Sequence, residues 1–206
     1  MTRAETRRHW PKIILASESA SRRGMLEAAG VSFEAVPARI DEAGVTEAMR
    51  GQAVRDVADR LAELKAVKVS LLHRGKIVLG SDSMLELERG VWLEKPGTPD
   101  GLRAQLRLLR GRAHRLVSAV VAARDGQPLW RHVEAATLTV RDFSDAWLED
   151  YVAACGNDVL SSVGGYHVEG LGVQLFTRIE GDQFVVRGLP LLAVLGWLRE
   201  AGELRI

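Results

Sequence analysis

Cysteine is almost missing from this chain: Cys155 is the single one in 206 residues. A lone thiol closes no intrachain disulfide and supplies no cysteine-based zinc site. Cys155 is therefore read as a small buried hydrophobe. A charge surplus is missing too. The 28 lysines and arginines face 27 acids, for a formal net charge of +1. Proteins that grip polymeric nucleic acid carry a basic excess. DNA or RNA is thus disfavoured as a bulk partner, whereas a local basic cluster for a small phosphorylated ligand is not. No apolar run approaches the roughly 20 residues of a membrane-spanning helix. Met1 to Trp10 is basic, but the apolar run after it, Ile13 to Ala16, is far too short for a signal-peptide core. No membrane partner and a cytoplasmic location are expected. Repeats, low-complexity tracts and linkers are also missing.

What remains is the balance of a globular protein: 47% hydrophobic and 27% charged residues. The length suits one large domain or two small lobes sharing a cleft. The pattern begins at Ile13 to Ala16, read as a buried strand. It breaks into Ser17-Glu18-Ser19-Ala20-Ser21-Arg22-Arg23 and then the apolar pair Met25-Leu26. Strand, polar loop and helix start in succession present free backbone N–H groups at a helix N-terminus, which favours an anion. The serines add hydroxyl donors, and Arg22 adds a planar fork suited to phosphate oxygens. The same stretch also reads as a serine-capped helix with two solvated arginines, and Arg23 is expected to face solvent.

Downstream, Gly30 stops the first helix and Val31 to Val36 reads as a strand. Pro37 to Glu42 leaves it as an irregular acidic segment. Gln52 to Leu72 carries one apolar stripe through Val54, Val57, Ala58, Leu61 and Leu64 and is expected to be helical. Lys76 to Leu79 reads as a strand running into a loop, Gly80-Ser81-Asp82-Ser83. A hairpin turn at Glu88-Arg89-Gly90 precedes Val91 to Leu93. Thr98-Pro99 opens a helix bearing Leu102, Leu106 and Leu109. His114 to Ala123, Leu129 to Val133 and Ala135 to Val140 read as antiparallel strands around Asp125-Gly126. Ser144 caps a helix. A glycine-rich loop holds Glu169, and Val173 to Ile179 pairs with Gln183 to Val186 as a last strand pair. Leu191 to Ala201 closes the chain as a helix. Helix–strand alternation followed by hairpins implies an α/β domain with a mixed sheet. The unusual chemistry gathers in four loops: the Ser/Arg loop, Asp41-Glu42, Gly80 to Ser83, and the loop of Glu169. Carboxylates, hydroxyls and cations together are the inventory for a metal-complexed polyphosphate.

The order of these motifs resembles the Maf family of nucleoside triphosphate pyrophosphatases, historically called septum formation inhibitors. The likeness runs from Ile13 to about Leu198. It rests on Leu15-Ala16-Ser17-Glu18-Ser19-Ala20-Ser21-Arg22, Asp41-Glu42, Leu61-Ala62-Glu63-Leu64-Lys65-Ala66 and Gly80-Ser81-Asp82-Ser83. Lys95-Pro96, Gly111-Arg112-Ala113-His114, Glu169-Gly170-Leu171-Gly172 and Val186-Arg187-Gly188-Leu189-Pro190 complete it. The resemblance implies a single Maf/ITPase-like domain over residues 1–206, with 1–11 as a loose extension. Its fold would be a mixed twisted sheet with flanking helices, in two lobes around a nucleotide-binding cleft.

The resemblance also implies a reaction: hydrolysis of a nucleoside triphosphate to the monophosphate and pyrophosphate, clearing modified or non-canonical nucleotides. Asp82 would accept the proton of the attacking water. Glu42 and Asp82 would hold a divalent cation, Mg²⁺ or Mn²⁺. Ser17, Ser19, Arg22, Lys65 and Lys95 would bind the triphosphate, and Ser21, Ser83 and Glu169 would select the base. A homodimer follows by analogy only. Ala20, Ser21 and Ser83 depart from the residues usual in the family, so the resemblance bears on the reaction more than on the base. Guanine offers two adjacent donors that a carboxylate such as Glu169 can accept, and methylation at N7 makes the base cationic. That favours a 7-methyl-GTP-like substrate. The alternatives are a dTTP- or UTP-preferring enzyme of the same family and a non-catalytic regulator of cell division. His114 and His167 are expected to be structural.

Overall fold

The computed structural model describes residues 13–204. The expected extension at 1–11 lies outside them. In chain order the elements are β1 (Ile13–Leu15), α1 (Ala20–Ala28), β2 (Phe33–Ala35), α2 (Glu42–Ala48) and α3 (Val54–Leu72). Then come β3 (Val78–Glu88), β4 (Val91–Leu93), α4 (Pro99–Leu109), β5 (Ala113–Arg124), β6 (Gln127–Val140) and α5 (Asp145–Cys155). A 3₁₀ turn (Leu171–Leu175), β7 (Phe176–Glu180), α6 (Gln183–Val186) and α7 (Leu191–Glu200) finish the chain. The strands form one seven-stranded sheet in the order β2-β1-β3-β5-β6-β7, with β4 also on β3. β1 runs parallel to β2 and β3, while the other pairings are antiparallel. The α/β architecture with a mixed sheet is as the sequence implies.

Period-two alternation in β3 sends its side chains to two different layers. Leu79 packs with Met25 and Leu26 of α1 and Val194 and Leu198 of α7. Further along, Leu85 joins Leu102, Leu106 and Leu109 of α4 and Leu148 of α5. On the opposite face, Met84 lies with Val57, Ala58, Leu61 and Ala62 of α3. The apolar stripe read from the α3 sequence is thus the stripe that covers the sheet. Full burial of each such leucine contributes roughly 1.5–3 kcal/mol.

Three sequence expectations are corrected. Gly80 to Ser83 is not a loop: it is the middle of β3, paired with Val121 to Ser118 of β5. Small polar residues there look like turn signals, but they are small because helix α3 and the loop of Gly188 press on the strand from either side. Leu129 to Val133 and Ala135 to Val140 are one continuous strand, β6. Gln183 to Val186 is a single helical turn rather than a strand. Asp182 caps it by accepting the Phe184 N–H at 2.9 Å. A four-residue apolar run has no periodicity from which to tell the two apart.

The pairing of β3 opens a gap. Its inner side is bonded to β5 from Val78 to Glu86. On its outer side β1 pairs only Val78 and Leu79, and β4 takes over only at Leu85. Positions 80–84 therefore have a strand neighbour on one side alone. Chain segments with side chains, rather than a strand, fill the other side, and this is where the polar residues converge. No helix among the described residues is long and apolar enough to cross a membrane.

Candidate active site

The gap is the floor of a cavity of about 900 Å³, within the range of small-molecule sites. Ser17, Ser19, Ser21, Arg22, Glu42, Lys65, Asp82, Ser83, Lys95 and Glu169 all line it. Every candidate named from the sequence thus reaches one chamber, and each is delivered by a local cause. Ser17 ends β1 and accepts the Ser19 N–H at 3.2 Å. Ser19 caps α1, its hydroxyl accepting the Arg22 N–H at 3.3 Å. Asp41 caps α2 by accepting the Gly44 N–H at 3.0 Å. This sets Glu42 at the first helical position.

Alternation in β3 puts Asp82 on the α3 face and Ser81 and Ser83 on the other. Lys65, reaching from α3, lies with its ammonium 2.6 Å from Asp82 Oδ1 and 2.8 Å from Glu42 Oε1. The lysine and Asp82 are both largely buried, at 7% exposure each. Burial alone pushes the Glu42 carboxyl up. Lys65, Lys95 and Arg22 outweigh it and hold Glu42 below the ordinary carboxylate range. Lys95 itself is exposed on the wall and makes no hydrogen bond or ion pair among the described residues. Arg23 faces solvent as expected. Lys68, near the end of α3, donates to the carbonyl of Arg39 at 2.6 Å. Arg39 holds the left-handed backbone, at φ 47°.

Arg22 differs from the phosphate fork read in the sequence. Its Nε donates to the Gly188 carbonyl at 2.8 Å, and Nη1 to Ser17 Oγ at 3.1 Å and Ser81 O at 3.0 Å. Nη2 donates to Ser83 Oγ at 3.0 Å. Four of its five N–H donors are thus spent within the protein. Arg22 ties α1, β3 and the loop before α7 together across the gap. Burial pulls its pKa below the usual arginine value, and Asp82 and Glu42 oppose that pull. Its charge still reaches the site, but its fork does not.

On the same side, the Ser83 hydroxyl lies 2.9 Å from that of Ser118, which donates to Val185 O at 2.8 Å. Ser21 Oγ donates to Glu169 Oε1 at 3.1 Å. Arg187 Nε stands 3.4 Å from the same carboxylate oxygen. Ser81, Ser118, Arg187 and the Gly188 carbonyl were missed in the sequence. Their signal is positional: Ser118 is the register partner of Ser83, which only the sheet reveals.

Of the two histidines expected to be structural, His167 lines the cavity and His114 does not. His114 is 2% exposed, with Nε2 2.6 Å from the hydroxyl of Tyr166, which lines the cavity. Burial lowers its pKa from 6.5 to about 4. The unfolded chain therefore binds this proton near pH 6.5 while the folded chain refuses it until about pH 4. The stability that this neutral histidine contributes is present above pH 6.5 and is lost as pH falls towards 4, on the order of 3 kcal/mol in all. In His114→Phe that loss should vanish. Urea unfolding between pH 7 and 4 should show the wild type losing more stability than the variant; parallel curves would refute the assignment.

The chain has relatives. Maf-like protein is the family whose profile matches, over residues 12–201. A protein of Paramagnetospirillum magneticum is 50% identical over 193 residues, 93% of this chain and 99% of that protein. One of Caulobacter vibrioides is 50% identical over 196 residues, 94% of this chain and 98% of that protein. One of Granulibacter bethesdensis is 48% identical over 199 residues, 95% of this chain and all of that protein. Each of the three is named nucleoside triphosphate pyrophosphatase. With its sheet and cavity in place and its family profile matched over nearly the whole length, the chain belongs to the Maf-like protein family.

Proposed function

We propose that this chain is an enzyme that hydrolyses a nucleoside triphosphate between the α- and β-phosphorus, releasing the monophosphate and pyrophosphate. One observation carries the reading. Two carboxylates, Asp82 and Glu42, converge on a single buried ammonium inside a chamber large enough for a nucleotide. Relatives about half identical to the chain bear the name of this activity.

In this reading Asp82 takes a proton from the water that attacks the α-phosphorus. The oxygen bridging to the β-phosphorus leaves with pyrophosphate. Lys65 keeps Asp82 aimed, and Lys95 offers an unengaged cation to the phosphate tail. Ser17 and Ser19 stand at the start of α1, where the helix dipole favours an anion.

The residues present suit a hard divalent cation. Two carboxylate oxygens already share one positive charge, that of Lys65, and oxygen donors are what Mg²⁺ and Mn²⁺ take. No group of three metal-ligating side chains occurs among the described residues, so phosphate and water would complete the shell. Glu42 and Asp82 would hold the ion, which would supply neutralisation of phosphate charge and polarisation of the oxygens around it. Glu169, on the same cavity wall, is the acceptor for a base carrying adjacent N–H donors, as guanine does.

The test is a panel of nucleoside triphosphates with Mg²⁺ or Mn²⁺ added, followed by detection of pyrophosphate and of the monophosphate. Equal amounts of the two products are expected. Release of inorganic phosphate with a diphosphate, or no turnover of any nucleotide, would overturn the proposal.

A further inference from the structure

We infer that Arg187 sets the charge of the base end of the cavity and makes it select a neutral base over a cationic one. This rests on the reading of the cavity as a nucleotide site. The phosphate tail must lie towards Lys65 and Lys95, where the cations gather. The wall bearing Glu169, whose carboxylate can accept N–H donors, then receives the base. That wall is a trio rather than a free carboxylate. Ser21 Oγ donates to Glu169 Oε1 at 3.1 Å and to the Arg187 carbonyl at 3.2 Å. Arg187 Nε sits 3.4 Å from Glu169 Oε1 and has no hydrogen-bond partner among the described residues. The two charged side chains are 26% and 39% exposed, and both line the cavity.

Two consequences follow from elementary electrostatics. A lone carboxylate in a partly desolvated wall attracts a cation; one compensated by a guanidinium at contact distance does not. The trio of Ser21, Glu169 and Arg187 has a net charge of zero. A 7-methylguanine base carries a positive charge, and its methyl group removes the N7 acceptor that a guanidinium could use. The unmethylated base keeps both neutrality and N7. Arg187 therefore acts against 7-methylated purines, the class that a free Glu169 would favour. The conformation is fixed locally: the chain turns at Gly188, at φ 94°, where Arg22 and Ser81 both hold the glycine carbonyl. The backbone that carries Arg187 is thereby fixed beside Glu169.

The experiment is equilibrium binding of GMP and 7-methyl-GMP, the products of the proposed reaction, at about pH 6, where the methylated base is cationic. The readout is the ratio of the two dissociation constants. The wild type should prefer GMP. Arg187→Leu, making the wall one charge more negative than wild type, should shift the ratio at least tenfold towards 7-methyl-GMP. Glu169→Gln, making it one charge more positive, should shift the ratio the other way. The double variant restores the wild-type charge and should return to within about threefold of wild type. Mere packing would not produce that restoration. Arg187→Gln serves as the second substitution should the leucine variant fail to fold. Asp158, on the same cavity wall, is unchanged throughout and cancels in the comparison. A folded Arg187 variant whose ratio stays within twofold of wild type sinks the inference, as does failure of the wild type to bind either monophosphate. Absence of pyrophosphate release would sink the reading of the reaction instead, and binding ratios are measured independently of it.

Discussion

Asp82→Asn should lose pyrophosphate release by roughly a thousandfold or more, the scale of a positioned general base, while the protein remains folded. The asparagine keeps the shape of the side chain but cannot take the proton. Folding should survive because Lys65 is not orphaned. Its ammonium keeps Glu42 at 2.8 Å, so the buried cation retains a partner. The melting temperature is expected to move by no more than about 5 °C. Lys65→Met makes the informative contrast. It leaves two carboxylates facing each other with no cation between them, one of them in a side chain only 10% exposed. It should destabilise more than Asp82→Asn does, since an unpaired buried charge costs about 3–5 kcal/mol. A fully active Asp82→Asn would remove this residue from the chemistry. An Asp82→Asn that unfolds while Lys65→Met does not would show that the triad is held by something other than the lysine.

The triad also shows what a sequence discloses. Lys65 and Asp82 lie 17 positions apart, on a helix stripe and in a strand, and each was named from its motif. Their common target was not legible, because it depends on which face of β3 meets α3. The parity of a strand can be read, but not the partner it meets. Arg22 illustrates the opposite failure. Its chemistry, a planar fork beside hydroxyls, suits phosphate, and nothing local indicates that Ser81, Ser83 and Gly188 use it up first. Those partners are 59 to 166 positions distant. Two helix caps, by contrast, were legible because they are local: Thr98 and Ser144 each accept an N–H from three residues ahead. Arg187 was given no role within the stretch Val186 to Pro190, since its contact to Glu169 joins positions 18 apart.

Gly80→Ala should be among the most damaging single substitutions in this chain, in stability and in activity together. Gly80 takes an ordinary strand conformation, so backbone freedom is not the reason. An added Cβ would lie 2.2 Å from the Ala62 carbonyl oxygen and 2.5 Å from the Ala66 amide nitrogen. Both are backbone atoms of α3, which cannot rotate aside as a side chain could. Relief requires the helix to lift by about 1 Å, towards ordinary contact distance. Overpacking of this kind typically costs about 1–3 kcal/mol, which lowers the melting temperature by roughly 2–4 °C per kcal/mol in a chain of this size. Activity should fall further than stability accounts for. Lys65 lies on the same helix between those two alanines, and its 2.6 Å bond to Asp82 does not survive such a lift. A misplacement of that order costs about a hundredfold in rate. Gly24→Ala is the counterweight: it lies within α1, and an added Cβ there meets nothing within 4 Å. It should be neutral or stabilising by about 0.4–1 kcal/mol. Thermal melts and turnover at a temperature where both variants are folded would decide it. Gly80→Ala with wild-type melting and turnover would mean that helix α3 is not seated on the strand as described, and the placement of Lys65 would fall with it.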